Sequence, residues 1–575
     1  MRKLFPVLVL ILTLAAAART QQASSPAAKP APAKAKLAAP IRVAPISVPG
    51  MPPGVAAAMN AIDAERVRAH VKFLADDLLE GRGTGQRGGD VAARYLAAQF
   101  ELYGLKPAGD EGTYLQKVQF VGVATDPQAT TFALVPESGA PMTLKFADDY
   151  VTTNESQTAT ADIDAPIVFV GYGIEAPEYG WNDYKDADVR GKVAMMFVNE
   201  PPSDDPNFFT GRALTYYGRW TYKYEQAARK GAVGVILIHK TEMASYGWEV
   251  VRNSWSGEKS YLHIGKQAKL KAAAWVQLEV ARKALAGAGL DLDELLQAAR
   301  EKTFKPVPLP LKLKAHIVSK IRPFQSSNVV AVVPGADARL KSEAILYTAH
   351  YDHFGIRPDQ SGDNIYNGAL DNATGCAMVL ELARAWAAAN PKPKRAIYFA
   401  AVTAEEQGLL GSQYLGEHPP VPAKHVQLDL NYDDVKPYGY PEQLEVVGYD
   451  RTTFGPAVEQ VAKAFRMAIM PDAAPEAGHY YRSDHFSMAR VGVPAFSVNT
   501  GRKYRGQSEA WGNKMYDAYT AKDYHHPSDE YRPEFDFTAN AVMAQFGFAL
   551  GWKAATQPGQ IGWKKGDEFE KARVK

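Results

Sequence analysis

The spacing of apolar residues changes character several times along the chain. Leu4 to Leu14 form an almost continuous apolar run, broken by Pro6, between basic Arg2 and Lys3 and the small residues Ala15 to Ala18. That is the form of a secretory signal peptide, residues 1–18, cut near Ala18. The run is too short for a helix to cross a hydrocarbon core of about 30 Å. Residues 19–58 are rich in Ala, Pro, Lys and Ser. They offer too little apolar surface to offset ordering entropy, so a semi-extended tether is expected there. Folded sequence is expected from near Asn60, where Ile62, Val67, Val71, Leu74 and Leu78 recur at helical spacing. A second helix is predicted from about Asp90 to Tyr103, ended by Gly104 and Pro107. Between the two lies Gly83-Thr84-Gly85-Gln86-Arg87-Gly88, a G-x-G-x-x-G match. A dinucleotide fingerprint needs a strand before its glycines, and here a helix precedes them. A tight helix–helix loop is the better description.

From about residue 156 the pattern turns to short, wholly apolar runs. Pro166–Gly173, Gly191–Val198 and Gly234–Ile238 read as buried strands, with a helix through Glu225–Ala228. None of the polar residues in this β-rich stretch clusters like a catalytic site. Pro306, Pro308 and Pro310 mark its exit, after which α/β alternation resumes. The stretch 156–304 therefore reads as a module inserted into a larger domain built from 59–155 and 305–557, with 558–575 as a tail.

Composition narrows the chemistry. The 575 residues contain 65 Lys+Arg and 63 Asp+Glu, a formal charge of +2, so nothing suggests a nucleic-acid footprint. No later segment is long and apolar enough to span a membrane. Cys376 is the one cysteine, so any metal must be held by His, Asp and Glu. Cys376 sits in an apolar helix and reads as a packed thiol.

Candidate chemistry lies between 345 and 530. The β-prone run Ile345–Ala349 leads into His350-Tyr351-Asp352. A loop ends in Gly368-Ala369-Leu370-Asp371-Asn372-Ala373, and a helix follows from about Thr374 to Ala388. The strand Ala396–Val402 ends in Thr403-Ala404-Glu405-Glu406, and Val426–Leu430 runs into Asn431-Tyr432-Asp433. Polar residues thus recur at the C-terminal ends of strands, where open α/β sheets build their sites.

These segments, together with Gly408-Leu409-x-Gly411-Ser412 and Tyr524-His525-x-Pro527-x-Asp529, resemble the successive motifs of the co-catalytic zinc exopeptidases, the twenty-eighth metallopeptidase family. Ser483-Asp484-His485-Phe486 is similar to a further family segment. Gly171-Tyr172-Gly173 and Gly191-Lys192-Val193 resemble the protease-associated domain inserted in such enzymes. The resemblance implies an α/β fold, a doubly wound mixed sheet with helices on both faces and the inserted β-rich domain. It implies two Zn²⁺ per chain, one held by His350 and Asp433, the other by Glu406 and His525, with Asp371 bridging. Glu405 would be the general base, Asp352 the carboxylate orienting the His350 imidazole, and Tyr524 a donor to the oxyanion of the tetrahedral intermediate. His353, His485 and His526 would be structural or substrate-facing.

The implied function is that of an exported zinc aminopeptidase, periplasmic or secreted, acting on peptides through a two-zinc-activated water. A free α-amine would need anionic partners, for which Glu405 and Asp484 are candidates. A glutamate-carboxypeptidase-type enzyme would need cations, and Arg482, Arg502, Lys503 and Arg505 keep it open. A loop from Gly501 to Asp523, with Tyr504, Trp511, Tyr516 and Tyr519, is expected to wall the substrate. A one-zinc glutaminyl-cyclase-type acyltransferase and a non-catalytic scaffold or cell-wall-binding module remain alternatives, opposed by the completeness of the five ligand positions. The sequence leaves the oligomeric state open.

Overall fold

The computed structural model describes residues 44–575 except 245, 264–268, 359, 473, 474 and 575. The expected signal peptide and most of the expected tether lie outside the described residues. The end of the expected tether is folded: Pro53–Asn60 is a helix, and Val48, Val55, Ala58 and Met59 are buried in the main core. Val55, Ala58 and Met59 stand at i, i+3 and i+4, one apolar face of a helix, and Pro53 pre-sets the first turn. The folded chain therefore starts ahead of Asn60.

A mixed sheet forms the centre. Its strands lie in the order Leu115–Thr125, the second half of Val307–Val333, Ala396–Val402, Ala344–His350, Val426–Asn431, Ala495–Thr500 and Gln443–Val447. The four from Ala396–Val402 to Ala495–Thr500 are parallel to their neighbours, and the flanking pairs are antiparallel. Period-two alternation splits the side chains between two cores. Ile345, Tyr347, Ala349, Ile397, Phe399 and Ala401 face the helices Ala64–Leu74, Arg87–Leu102, Thr374–Ala388 and Thr538–Thr556. Ala344, Leu346, Ala400 and Val402 face Leu415 and Met488, from the helices Leu410–Glu417 and His485–Arg490. The expected helices on both faces of a mixed sheet are present.

A second sheet runs in the order Thr131–Pro136, the first half of Val307–Val333, Thr160–Phe169, Val193–Phe197, Gly234–His239, Ala272–Gln277 and Tyr150–Thr153. It reaches beyond the expected insert of 156–304 on both sides, because the 27-residue strand Val307–Val333 belongs to both sheets. The strand reads as one continuous alternation of buried and exposed positions through residue 317, and no sequence signal separates its two halves.

The expected tail of 558–575 is packed as well. Ile561, Trp563 and Phe569 are buried. The Arg451 guanidinium lies 4.7 Å from the Tyr480 ring, 5.6 Å from Trp563 and 4.9 Å from Phe569, and pairs with Asp567 at 2.7 Å. Trp563 Nε1 donates to the Gly492 carbonyl at 3.0 Å. Trp563→Ala is expected to destabilise the protein by about 3–5 kcal/mol, the usual cost of deleting a buried indole. Urea unfolding followed by circular dichroism measures this, and an unchanged midpoint would show the segment to be inert.

Candidate metal centre

Parallel strands that start together also end together. His350 is the last residue of Ala344–His350, Glu405 and Glu406 follow Ala396–Val402, and Asp433 follows Val426–Asn431. Asp371 comes from the loop before the helix Thr374–Ala388, and His525 from the turn after the helix Glu509–Lys522. All five expected metal-binding side chains meet at this edge.

Their contacts divide into two sets. His350 Nε2 lies 3.1 Å from Asp433 Oδ1 and 3.2 Å from Asp371 Oδ1. His525 Nε2 lies 3.2 Å from Asp371 Oδ2 and 3.5 Å from Glu406 Oε2. Ligand atoms of His350, Asp371 and Glu406 all fall within 4.8 Å of one another. Two ligands about 2.0–2.1 Å from a tetrahedral ion stand roughly 3.4 Å apart, so the spacing and the His/carboxylate chemistry fit zinc. Each Asp371 oxygen faces a different imidazole, the pattern of a bridging carboxylate.

The charge distribution points the same way. Burial by itself would lower the His350 pKa, but Asp433, Glu405 and Asp371 hold it well above the ordinary imidazole value. His525 is raised to about 9, against burial, by Glu406 and Asp371. Asp371 is held well below the carboxylate range by His350 and His525, despite its burial. Glu405 and Glu406 are both raised well above it, by burial first and then by neighbouring acids. Protons on the histidines stand in for positive charge that the acids require.

Second contacts fix the cluster. Ser483 Oγ donates to Asp433 Oδ2 at 2.5 Å and accepts from Asn431 Nδ2 at 2.8 Å. Asp529, from the last expected motif, accepts the backbone N–H groups of Leu370 and Asp371, both at 3.0 Å. Asp352 departs from its expected role. Its main-chain carbonyl lies 3.1 Å from His350 Nδ1, while its carboxylate is 3.9 Å away. The carboxylate is engaged instead by the Glu405 N–H at 3.1 Å and the Thr84 hydroxyl at 2.9 Å.

Glu405 and Glu406 lie past the strand end, in a turn that Ala404 enters with φ +57°. The Glu405 carbonyl accepts the N–H groups of Gly408 and Leu409. Both carboxylates consequently face the cluster. Tyr524 stacks on His525 with ring centroids 3.8 Å apart and is 40% exposed. Its hydroxyl has no hydrogen-bond partner among the described residues. Of the neighbouring competitors, His526 lines a surface groove of about 450 Å³ with Lys522 and Arg532. Asp434 pairs with buried Lys436.

Two other expectations change. Asp484, a candidate partner for a substrate amine, is wholly buried, its pKa pushed up to about 7 by desolvation. Residues 509–522 of the expected loop are a helix, capped by the Ser508 hydroxyl on the Trp511 N–H. Arg502 stacks on Tyr516 at 3.6 Å and Arg505 on Tyr440 at 3.7 Å. His485 is buried against Tyr480. Cys376 is a packed thiol whose Sγ donates to the His350 carbonyl at 3.1 Å.

The glycine-rich turn carries residues that motif reading missed. It does join two helical segments, Asp77–Arg82 and Arg87–Leu102, without a preceding strand. Arg82 is fully buried, and its guanidinium donates to the carbonyls of Tyr351, Leu74, Asn367 and Gly368. It thereby ties together the chain segments that bear His350, His353 and Asp371. No local signal separates such an arginine from an exposed one.

Residues 328–546 match the family model described as Peptidase family M28. Among curated proteins, Leupeptin-inactivating enzyme 1 of Streptomyces exfoliatus is 28% identical over 241 residues, 40% of this chain and 50% of that protein. A Probable zinc metalloprotease of Pyrenophora teres f. teres is 42% identical over 98 residues, 17% of this chain and 20% of its own length. The chain thus spans half or less of the length of these curated relatives. Among solved structures, an aminopeptidase from Aneurinibacillus sp. strain AM-1 aligns with a TM-score of 0.48 at 18% identity, covering 87% of this chain and 96% of that one. The matched segment contains every side chain of the acid–histidine cluster, so the likeness to peptidase family M28 falls on the residues that build the site.

Proposed function

We propose that the protein is an exported zinc aminopeptidase that releases N-terminal residues from peptides. One observation carries the metal reading: the two oxygens of Asp371 face different imidazoles, at 3.2 Å each. His350, Asp433 and Asp371 would hold one zinc, and His525, Glu406 and Asp371 the other. Zinc bound there polarises the scissile carbonyl and acidifies an attacking water.

The protein's own groups perform the proton transfers. Glu405 faces the cluster, with its backbone N–H anchored on Asp352. It takes a proton from the attacking water and delivers it to the leaving nitrogen. Bound cations would draw its raised pKa back toward the range a base needs. Asp433 is held by Ser483 and Asp371 by Asp529, so neither needs to reorganise as charge develops. Glu405, beside the cluster, is the anionic group that a substrate ammonium would meet. The Tyr524 hydroxyl, free of internal partners, remains the candidate donor to the oxyanion. Export follows from the signal-like residues 1–18, and the second sheet is read as a protease-associated domain on the strength of its glycine motifs.

Carboxypeptidase action is the second reading, favoured by one observation. Arg219, whose Nε is buried without a partner, lies near Arg482, which helps to lower its pKa to about 10 after burial. Two neighbouring cations, one of them next to Ser483 in the chain, suit a terminal carboxylate. Aminoacyl and carboxy-terminal chromogenic substrates, assayed with added zinc, separate the two: release of the aminoacyl leaving group alone supports the first reading. Hydrolysis of neither overturns both.

Glu405→Gln is expected to retain its metal and lose turnover by about 10²–10⁴-fold; near-normal kcat would remove Glu405 from the role of base. His525→Ala is expected to lower zinc content, measured by atomic absorption after dialysis, while His526→Ala leaves it unchanged. The opposite pattern would exchange their roles. Chelation is expected to abolish activity and added zinc to restore it.

A further inference from the structure

His353 lies three residues after His350 and has no place in either donor set described above. Its ring is fully buried, yet Nδ1 stands 2.5 Å from Glu406 Oε1. The other Glu406 oxygen, Oε2, is 3.5 Å from His525 Nε2. Two donors sharing one tetrahedral zinc are separated by roughly 3.4 Å. The His525–Glu406 distance satisfies that spacing and the His353–Glu406 distance does not. A contact of 2.5 Å is a short charge-assisted hydrogen bond, with the imidazole N–H donating to the carboxylate.

The surroundings hold the ring in this pose. The His353 N–H donates to the Arg82 carbonyl at 3.3 Å, and Gly83 bridges to His353 in strand-like fashion. Gly368, at φ +58°, packs so closely that a Cβ there would stand 2.7 Å from His353 Cγ and 2.8 Å from Arg82 Nη2. Among the described residues Nε2 has no hydrogen-bond partner, so Nδ1 makes the ring's polar contact, and a carboxylate oxygen there can only accept.

We infer that His353 is a positioning residue: its Nδ1–H engages Glu406 Oε1, so that Oε2 alone is presented to the ion on the His525 side. The inference rests on the metal reading proposed above. A carboxylate tied at one oxygen binds through the other, and its orientation is set before the ion arrives. Without His353, Glu406 would be free to rotate, to chelate through both oxygens or to turn toward Asp371.

Zinc affinity measured by competition with a chromophoric chelator tests this on the full-length protein. In His353→Phe one of the two zinc ions is expected to bind about 10–100-fold more weakly, with the other unchanged. In His353→Asn, whose amide N–H takes the place of Nδ1, affinity is expected to return to within a few-fold of wild type. Circular dichroism should report the same fold in both, and His353→Leu replaces the Phe variant if the larger ring prevents folding. The visible absorption of the cobalt-substituted protein adds a readout that packing alone does not move: altered bands with Phe or Leu, wild-type bands with Asn. Two zinc ions held at wild-type affinity in the Phe or Leu variant would overturn the inference alone. So would an Asn variant no better than Phe or Leu. A wild-type protein that takes up no zinc would overturn the metal reading and this inference together.

Discussion

Repulsion between acids brought together at one edge of a sheet is the constraint to which the rest of the site responds. Asp371, Glu406, Asp433 and Glu405 converge there, and Asp352 and Asp484 are buried close behind. Two like charges 4 Å apart repel by about 4 kcal/mol even at an effective dielectric constant of 20. Burial first, and then these neighbouring acids, push both glutamates and Asp484 toward the protonated form. Two internal cations have their hydrogen bonds committed elsewhere. Arg82 directs its guanidinium to four main-chain carbonyls, and Lys436 is paired with Asp434. The donor set is thus left with a need for divalent cations that the protein itself does not meet.

Holding mutually repelling groups in place requires a rigid frame, and the backbone provides it. Three parallel strands deliver His350, the Glu405–Glu406 turn and Asp433 to one edge. Hydrogen bonds across the chain add to this: the Asp371 backbone on Asp529, Asp433 on Ser483 and Glu406 on His353. Arg82 holds the segments beneath. Each of these bonds restrains a ligand without neutralising it, so the site remains charged as well as ordered.

How much of this was legible follows from where each signal lies. The ligand residues sit beside strand ends, and the apolar runs that announce those strands also locate the chemistry. His525 and Asp433, rather than their neighbours His526 and Asp434, reach the cluster. Long-range packing was not legible. Arg82 and Thr84 meet their partners across some 270 residues of chain, and nothing local marks a Gly-rich turn as the support of a metal site. Residues two apart share a face only within a strand, and the strand ends at His350, so the Asp352 carboxylate is not bound to the side of the imidazole. The helix at 509–522 was hidden by its aromatic, Gly-containing composition and weak amphipathic pattern. The packed 561–569 segment was hidden because its order comes from Arg451, more than a hundred residues away.

The shared strand Val307–Val333 gives the second sheet a structural bearing on the first. The helical segment 216–229, which packs on the second sheet, also touches the main domain: Arg490 pairs with Glu225 at 3.1 Å, and the Tyr216 ring packs 4.8 Å from Phe486. Phe486 and Arg490 belong to the short helix His485–Arg490, which begins two residues after Ser483. A six-residue helix has little stability of its own, so its place depends on what packs against it. One side is held by Leu415 and the main sheet, the other by Tyr216 and Glu225 from the helical segment 216–229 that packs on the second sheet. The hydrogen bond from Ser483 to Asp433 is therefore positioned by both sheets. In that respect the second sheet is part of the frame of the metal centre, although it contributes none of the five donors.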